Sequence, residues 1–323
     1  MTELLKKLMF TPSVSGREDK IREAIKKEIA PYADEITTDP VGNLIARKKG
    51  SGKKIMFCAH MDEIGFFVTH ISSNGDIKIS PVGGINAISA AFSEVVSENG
   101  VCGIIVPSTK EAPKCEDLYI DIGAKSRKQA EKLVTVGDFF VCAPKFKRLL
   151  NNRYIGRPFD DRVGCAILVK AIKEVKSEND LYFVFSVQEE VGGRGAKPAT
   201  FSISPDIGIA LDVTAVGEKG GPSDMDVLLG KGCTIKIKDP STICNTDLVK
   251  EMRKIAEDEK IKYQNEMLPF GGTDASPMQI AGKGARVGVI SIPSAHIHSG
   301  CEMIDINDAK EAVKFTVALA NKL

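Results

Sequence analysis

The stretch from residue 66 to about 150 most constrains how this chain can fold. Short runs of β character (FFVTHIS, DIKISPVG, SEVVSENGVCGIIVP, DFFVCAP) are set apart by Gly, Asn-Gly and Pro signals, and one clear helix near SRKQAEKLV interrupts them. The flanks read differently. Before the stretch, SGRE at Ser15–Glu18 has capping-box spacing and opens a helix with Ile21, Ala24, Ile25 and Ile29 on one face. The runs GNLIARKKG and KKIMFCAHMD follow as strands. After it come a helix beyond Asp161, a strand at 181–187, the strand DIGIALDV, a helix over 246–258, a strand near RVGVISIP and a terminal helix from about Asn307. Strands alternating with helices imply a sheet covered on both faces. The expectation is an α/β chain: a discontinuous three-layer α/β/α sheet domain (1–65 plus 151–323) with a small β-barrel-like domain inserted at 66–150.

A net charge of +1 gives no electrostatic basis for binding nucleic acid or an anionic membrane surface. The N-terminal MTELLKKLMF lacks the unbroken apolar core of a signal peptide, and no run approaches the ~20 apolar residues of a membrane span. The eight cysteines form no Cys-x-x-Cys pair. Several sit in apolar strands as buried thiols, so a reducing, cytoplasmic location is expected. With four histidines in the chain, any metal site must be rich in carboxylate.

Acids and histidines gather at the carboxyl ends of the expected strands, where open α/β sheets form their sites. His60-Met61-Asp62 follows IMFCA, Glu189-Glu190 ends the strand before a glycine-rich turn, and Asp212 ends IGIAL. Asp160-Asp161 precedes a helix, and His298 lies just after VGVISIP. Singly, each is as ordinary as a turn, cap or packed residue. Together, two histidines and three carboxylates supply one nitrogen and one terminal carboxylate for each of two divalent metal ions, plus a bridging carboxylate, and such a pair activates water and polarises a carbonyl. One member of Glu189-Glu190 then binds metal while its neighbour moves a proton. Asp62 can fix the free N–H of a metal-bound His60 ring.

The ordered motifs TPSVSGRED, DPVGNLIARKKG, AHMDEIG, GRPFDDRVG, QEEVGGRGA, LDV, LGKG, GGTDAS and HSGCEMID span nearly the whole chain. In them the sequence resembles the glutamyl/deblocking aminopeptidase family of dinuclear metallopeptidases, the tetrahedral aminopeptidases, some of which carry an endoglucanase or cellulase label. The resemblance implies that His60, Asp160 and Asp212 hold one metal ion, and that Glu190, His298 and the bridging Asp160 hold the other. It implies Glu189 as general base, Asp62 as the residue that orients His60, and a cis peptide between Asp160 and Asp161. The ions would be zinc, or cobalt or manganese. The partners would be peptide substrates and further copies of the chain, in dimers built through the inserted domain and a twelve-subunit shell.

Two departures touch the site. Many members read Arg-Tyr-Ile-His-Ser at the last ligand, where this chain reads Ala295-His296-Ile297-His298-Ser299. In an extended segment His296 and His298 would face the same way, which makes His296 a rival ligand or a substrate contact, although the register of HSGCEMID favours His298. Cys233 stands where Pro commonly follows GKG. Asp274 in GGTDAS is read as lining the substrate pocket or holding a turn. The expected activity is removal of N-terminal residues from peptides. A carboxypeptidase or N-deacylase with the same metals is the alternative. An endoglucanase fits less well, because it needs two free carboxylates and the chain has no Trp for sugar stacking.

Overall fold

The computed structural model describes residues 1–109 and 111–323. A large mixed sheet of eleven strands runs through the molecule. Its centre is four parallel neighbours, Asp180–Ser186, Lys54–His60, Ile207–Thr214 and Arg286–Ala295, in that order across the sheet. These strands are almost entirely buried, which is why they read as continuous apolar runs rather than alternating ones. Antiparallel strands, including Leu44–Lys48 on one side and Glu302–Asp305 on the other, extend the sheet to its edges.

Helices cover both faces. Arg162–Glu174, Ile306–Lys322 and Thr246–Asp258 pack on one. Ala196–Ile203 and Ala275–Ile280 pack on the other, where Met278 lies against Gly208 of the sheet. The fold is thus the three-layer α/β/α arrangement, with one large apolar cluster filling both interlayer spaces.

The strands Gly65–Ile71, Ile77–Val82, Glu94–Ser97, Cys102–Pro107, Leu118–Asp121 and Phe139–Cys142 close into a six-stranded barrel with its own core around Phe66, Val95, Ile105, Ile120 and Phe140. The helix expected near SRKQAEKLV is the single turn Arg127–Ala130. The next strand, Lys145–Arg148, belongs to the large sheet, where it pairs with Arg153–Arg157.

One local expectation changes. The helix at the N-terminal side is Asp19–Ile29, with Ile21, Ile25 and Ile29 buried as expected, but Ser15 does not cap it. The Ser15 hydroxyl instead donates to Asp62 Oδ2 at 2.6 Å. The buried carboxylate holds the hydroxyl at the site, and the Ser15 oxygen accepts from no helix amide.

Candidate metal centre

The parallel strands deliver their terminal residues to one edge of the sheet. His60 ends its strand in register with Ser186. Two residues beyond Ser186, the chain turns at Gln188, whose φ is 55°, and the carbonyl of Glu189 accepts from the amides of Gly192 and Gly193 at 2.8 and 2.9 Å. Gly192 has φ 114° and Gly193 φ 61°, conformations that glycine adopts without strain. This tight turn replaces the strand alternation that would have sent Glu189 and Glu190 to opposite faces. Asp160 enters from the turn before helix Arg162–Glu174, which Asp161 caps by accepting from the Gly164 amide at 3.0 Å. The Asp160–Asp161 peptide is cis, as the resemblance implied, and so is Arg157–Pro158.

Asp160 faces two ways. One carboxylate oxygen lies 3.2 Å from His60 Nε2 and the other 3.1 Å from His298 Nε2. Around His60, Asp212 Oδ1 is 3.8 Å and Glu189 Oε2 4.0 Å from the same Nε2. Around His298, Glu190 Oε2 is 3.2 Å from Nε2. The outward nitrogens are spoken for. His60 Nδ1 lies 3.0 Å from the Asp62 carbonyl, and His298 Nδ1 2.9 Å from the Gly84 carbonyl, contributed by the loop that leaves the barrel.

Burial lowers the affinity of both rings for a proton, but the carboxylates overcome it. Asp160 and Asp212 raise His60 well above the usual range, and Asp160 and Glu190 raise His298 to about 11. Burial likewise works to raise Asp160, but His298 and His60 hold it well below the ordinary carboxylate range. Burial pushes Glu189 well above that range, with His60 opposing and Asp212 adding. The directions of these shifts mark a site that stabilises positive charge between its rings and its acids.

The donor set fits divalent ions. One atom each from His60, Asp160 and Asp212, and one each from Asp160, Glu190 and His298, form two groups in which all atoms lie within 4.8 Å of one another. Glu190 Oε1 is buried with no hydrogen-bond partner, an orphaned oxygen that a cation would satisfy. Nitrogen and carboxylate oxygen together suit zinc and its neighbours.

The carboxylate of Asp62 does more than face His60. Its Oδ1 is 3.5 Å from His60 Nδ1, while the carboxylate accepts from the amides of Glu189 at 3.0 Å and Glu190 at 3.2 Å. Its carbonyl steadies His60, and its side chain fixes the turn that carries the two glutamates. His296 joins neither group. Its φ is 62° and that of His298 is 59°, so the segment is coiled rather than extended and the two rings do not share a face. His296 lines a smaller neighbouring cavity. Asp274 is buried beneath the site, where it accepts from Ser186 Oγ and from Cys58 Sγ at 3.4 Å, and its neighbours Thr273 and Ser276 line the cavity instead.

Several supports were not foreseen. Glu302, fully buried, accepts from the amides of Phe159 at 2.6 Å and Asp160 at 3.2 Å. Arg157 pairs with Glu302 at 3.3 Å and donates to the Ser299 carbonyl at 2.6 Å, tying the Asp160 turn to the His298 loop. The one sequence signal was an acid inside the apolar run CEMID.

The sequence matches the M42 glutamyl aminopeptidase family over residues 42–315. A candidate aminopeptidase of Acetivibrio thermocellus is 45% identical over 322 residues, covering 98% of this chain and 97% of its own length. A lysyl aminopeptidase of Pyrococcus furiosus is 36% identical over 341 residues, covering 99% of this chain and 97% of its own length. Among solved structures, the TET1 peptidase of Pyrococcus horikoshii, which can assemble into a tetrahedron or a large octahedral shell, superimposes with a TM-score of 0.92 at 37% identity over 99% of each chain. With the family match, the shared length and the shared fold together, this chain belongs to the M42 glutamyl aminopeptidase family.

Proposed function

We propose that this protein is a metal-dependent aminopeptidase that hydrolyses the first peptide bond of a chain with a free N-terminus. The observation that carries the reading is Asp160, whose two oxygens each face one histidine of the pair. His60, Asp160 and Asp212 would hold one ion, and Asp160, Glu190 and His298 the other. When bound, the pair supplies a lowered water pKa and polarisation of the scissile carbonyl. Glu189, outside both ligand groups but within 4.0 Å of His60 Nε2, takes the proton of the attacking water on its carboxylate. As the C–N bond breaks, that proton passes from Glu189 to the leaving nitrogen. Burial makes Glu189 hold a proton more readily than a free carboxylate, which suits a group that must accept one and then return it.

The ions proposed are zinc, cobalt or manganese. The eight free cysteines suit a reducing compartment, the cytoplasm. Among the described residues no helix is long and apolar enough to cross a membrane. We assign the large-sheet part of the chain, including strand Lys145–Arg148, as the catalytic domain, and the six-stranded barrel that ends at Cys142 as the domain that joins copies into dimers and, through them, a dodecamer. An endoglucanase reading finds no support in the geometry, since the cavity's acids all lie in or against the two ligand groups.

The test is a product analysis by mass spectrometry on one mixed-sequence peptide, offered free and N-acetylated, after chelation and restoration of zinc or cobalt. A ladder of losses from the N-terminus of the free peptide alone is expected. Losses from the C-terminus, or removal of the acetyl group, would keep the metal site and refute the aminopeptidase.

A further inference from the structure

The cavity over the candidate metal centre encloses about 860 Å³, room for a large side chain beside the scissile bond. Its walls have a consistent character. Outside the ligand groups and Glu189, every side chain lining it among the described residues is uncharged. Val213, Ala215, Leu268, Phe270 and Ile297 give it an apolar surface.

Two of the hydroxyls in that wall are committed to groups behind it. Thr214 Oγ1 donates to Glu266 Oε1 at 2.9 Å, and Ser241 Oγ donates to Asp239 Oδ1 at 2.8 Å. Both acceptors are sealed behind the wall, where Lys236 Nζ pairs with Glu266 at 3.1 Å and with Asp239 at 3.2 Å. A buried cation thus holds two carboxylates that in turn hold two hydroxyl protons. Thr214 is left with no proton to donate to a substrate. Glu218 does not line this wall. It lines the smaller neighbouring cavity, of about 230 Å³, where it accepts from the Leu229 amide at 3.1 Å and pairs with Arg153 at 3.5 Å.

We propose that the first residue of the preferred substrate is uncharged and apolar, leucine- or methionine-like, rather than lysine or glutamate. The inference rests on the aminopeptidase reading and goes beyond it. A cationic or anionic side chain would leave water for a wall that offers no counter-charge outside the ligand groups and Glu189, and whose polar groups at Asn86, Thr273 and Ser276 are neutral, while an apolar one gains by the same transfer.

The experiment compares kcat/KM for release of the first residue from four peptides that differ only there: Leu, Met, Lys and Glu, each followed by Ala-Ala-Ala, under identical metal-loaded conditions. The Leu and Met peptides are expected to exceed the Lys and Glu peptides by at least about tenfold, the scale of an uncompensated polar burial. Lys or Glu released as fast or faster would overturn the inference and leave the aminopeptidase intact. Release from none of the four would overturn both.

Discussion

Glu189 and Asp160 sit side by side and answer to different demands. Asp160 belongs to both ligand groups, Glu189 to neither. Replacing Glu189 with Gln should therefore leave bound metal unchanged by elemental analysis while kcat falls by about 10²- to 10⁴-fold, the scale of a lost general base. Loss of metal in that variant would move Glu189 into the ligand set. The raised rings make a second prediction. His298 carries its proton up to about 11 against an ordinary value of 6.5, so a cation arriving at neutral pH must displace it. Calorimetric titration of the metal-free protein with zinc at pH 7, in two buffers of different ionisation enthalpy, should show proton release, and affinity should fall as pH falls. The sign for folding runs the other way. In the metal-free protein the ring's contribution to stability is full below 6.5 and is lost as pH rises toward about 11.

At the level of elements, the barrel reaches into the catalytic edge. The loop after strand Ile77–Val82 presents the Gly84 carbonyl to His298 Nδ1, and a Cβ built on Gly84 would stand 3.0 Å from that nitrogen. Gly84→Ala should shift the ring and weaken metal binding by roughly 10- to 100-fold, as loss of a ligand's outer hydrogen bond does, with a thermal midpoint close to wild type. Unchanged metal affinity would show that the barrel loop does not orient the ring. This contact also shows where the sequence stops being legible. His60, Asp212, Glu190 and His298 stand out because each closes or follows an apolar run, and strand ends are read locally. Gly84, Glu302 and Arg157 act across the fold on residues distant in the chain, and nothing beside them in the sequence names their partners. His296 misled for a local reason, since spacing of two implies a shared face only in extended backbone, and its φ is 62°. Ser15 misled because a capping pattern does not reveal a buried carboxylate, distant in the chain, that holds the hydroxyl elsewhere.

The molecule as a whole exposes apolar side chains on its barrel. Ile88, Phe92, Leu133 and Val136 are between 55% and 69% exposed. Such surface on one inserted unit fits an interface between copies. On the proposed assembly through the barrel, Phe92→Glu combined with Leu133→Glu should shift light scattering to smaller species, while circular dichroism stays that of the folded chain. A particle of unchanged mass would place the contacts elsewhere.

The carboxylate shared by two histidines has a consequence in time as well as space. His60 is in the chain early, Asp160 near its middle and His298 late. During synthesis the first half-site exists in sequence long before its counterpart. A nascent chain therefore holds only fragments of a catalyst, and it cannot attack its neighbours until the last parallel strand has taken its place in the sheet. A break between the two histidines that lets the pieces drift apart takes the shared carboxylate away from one of its rings.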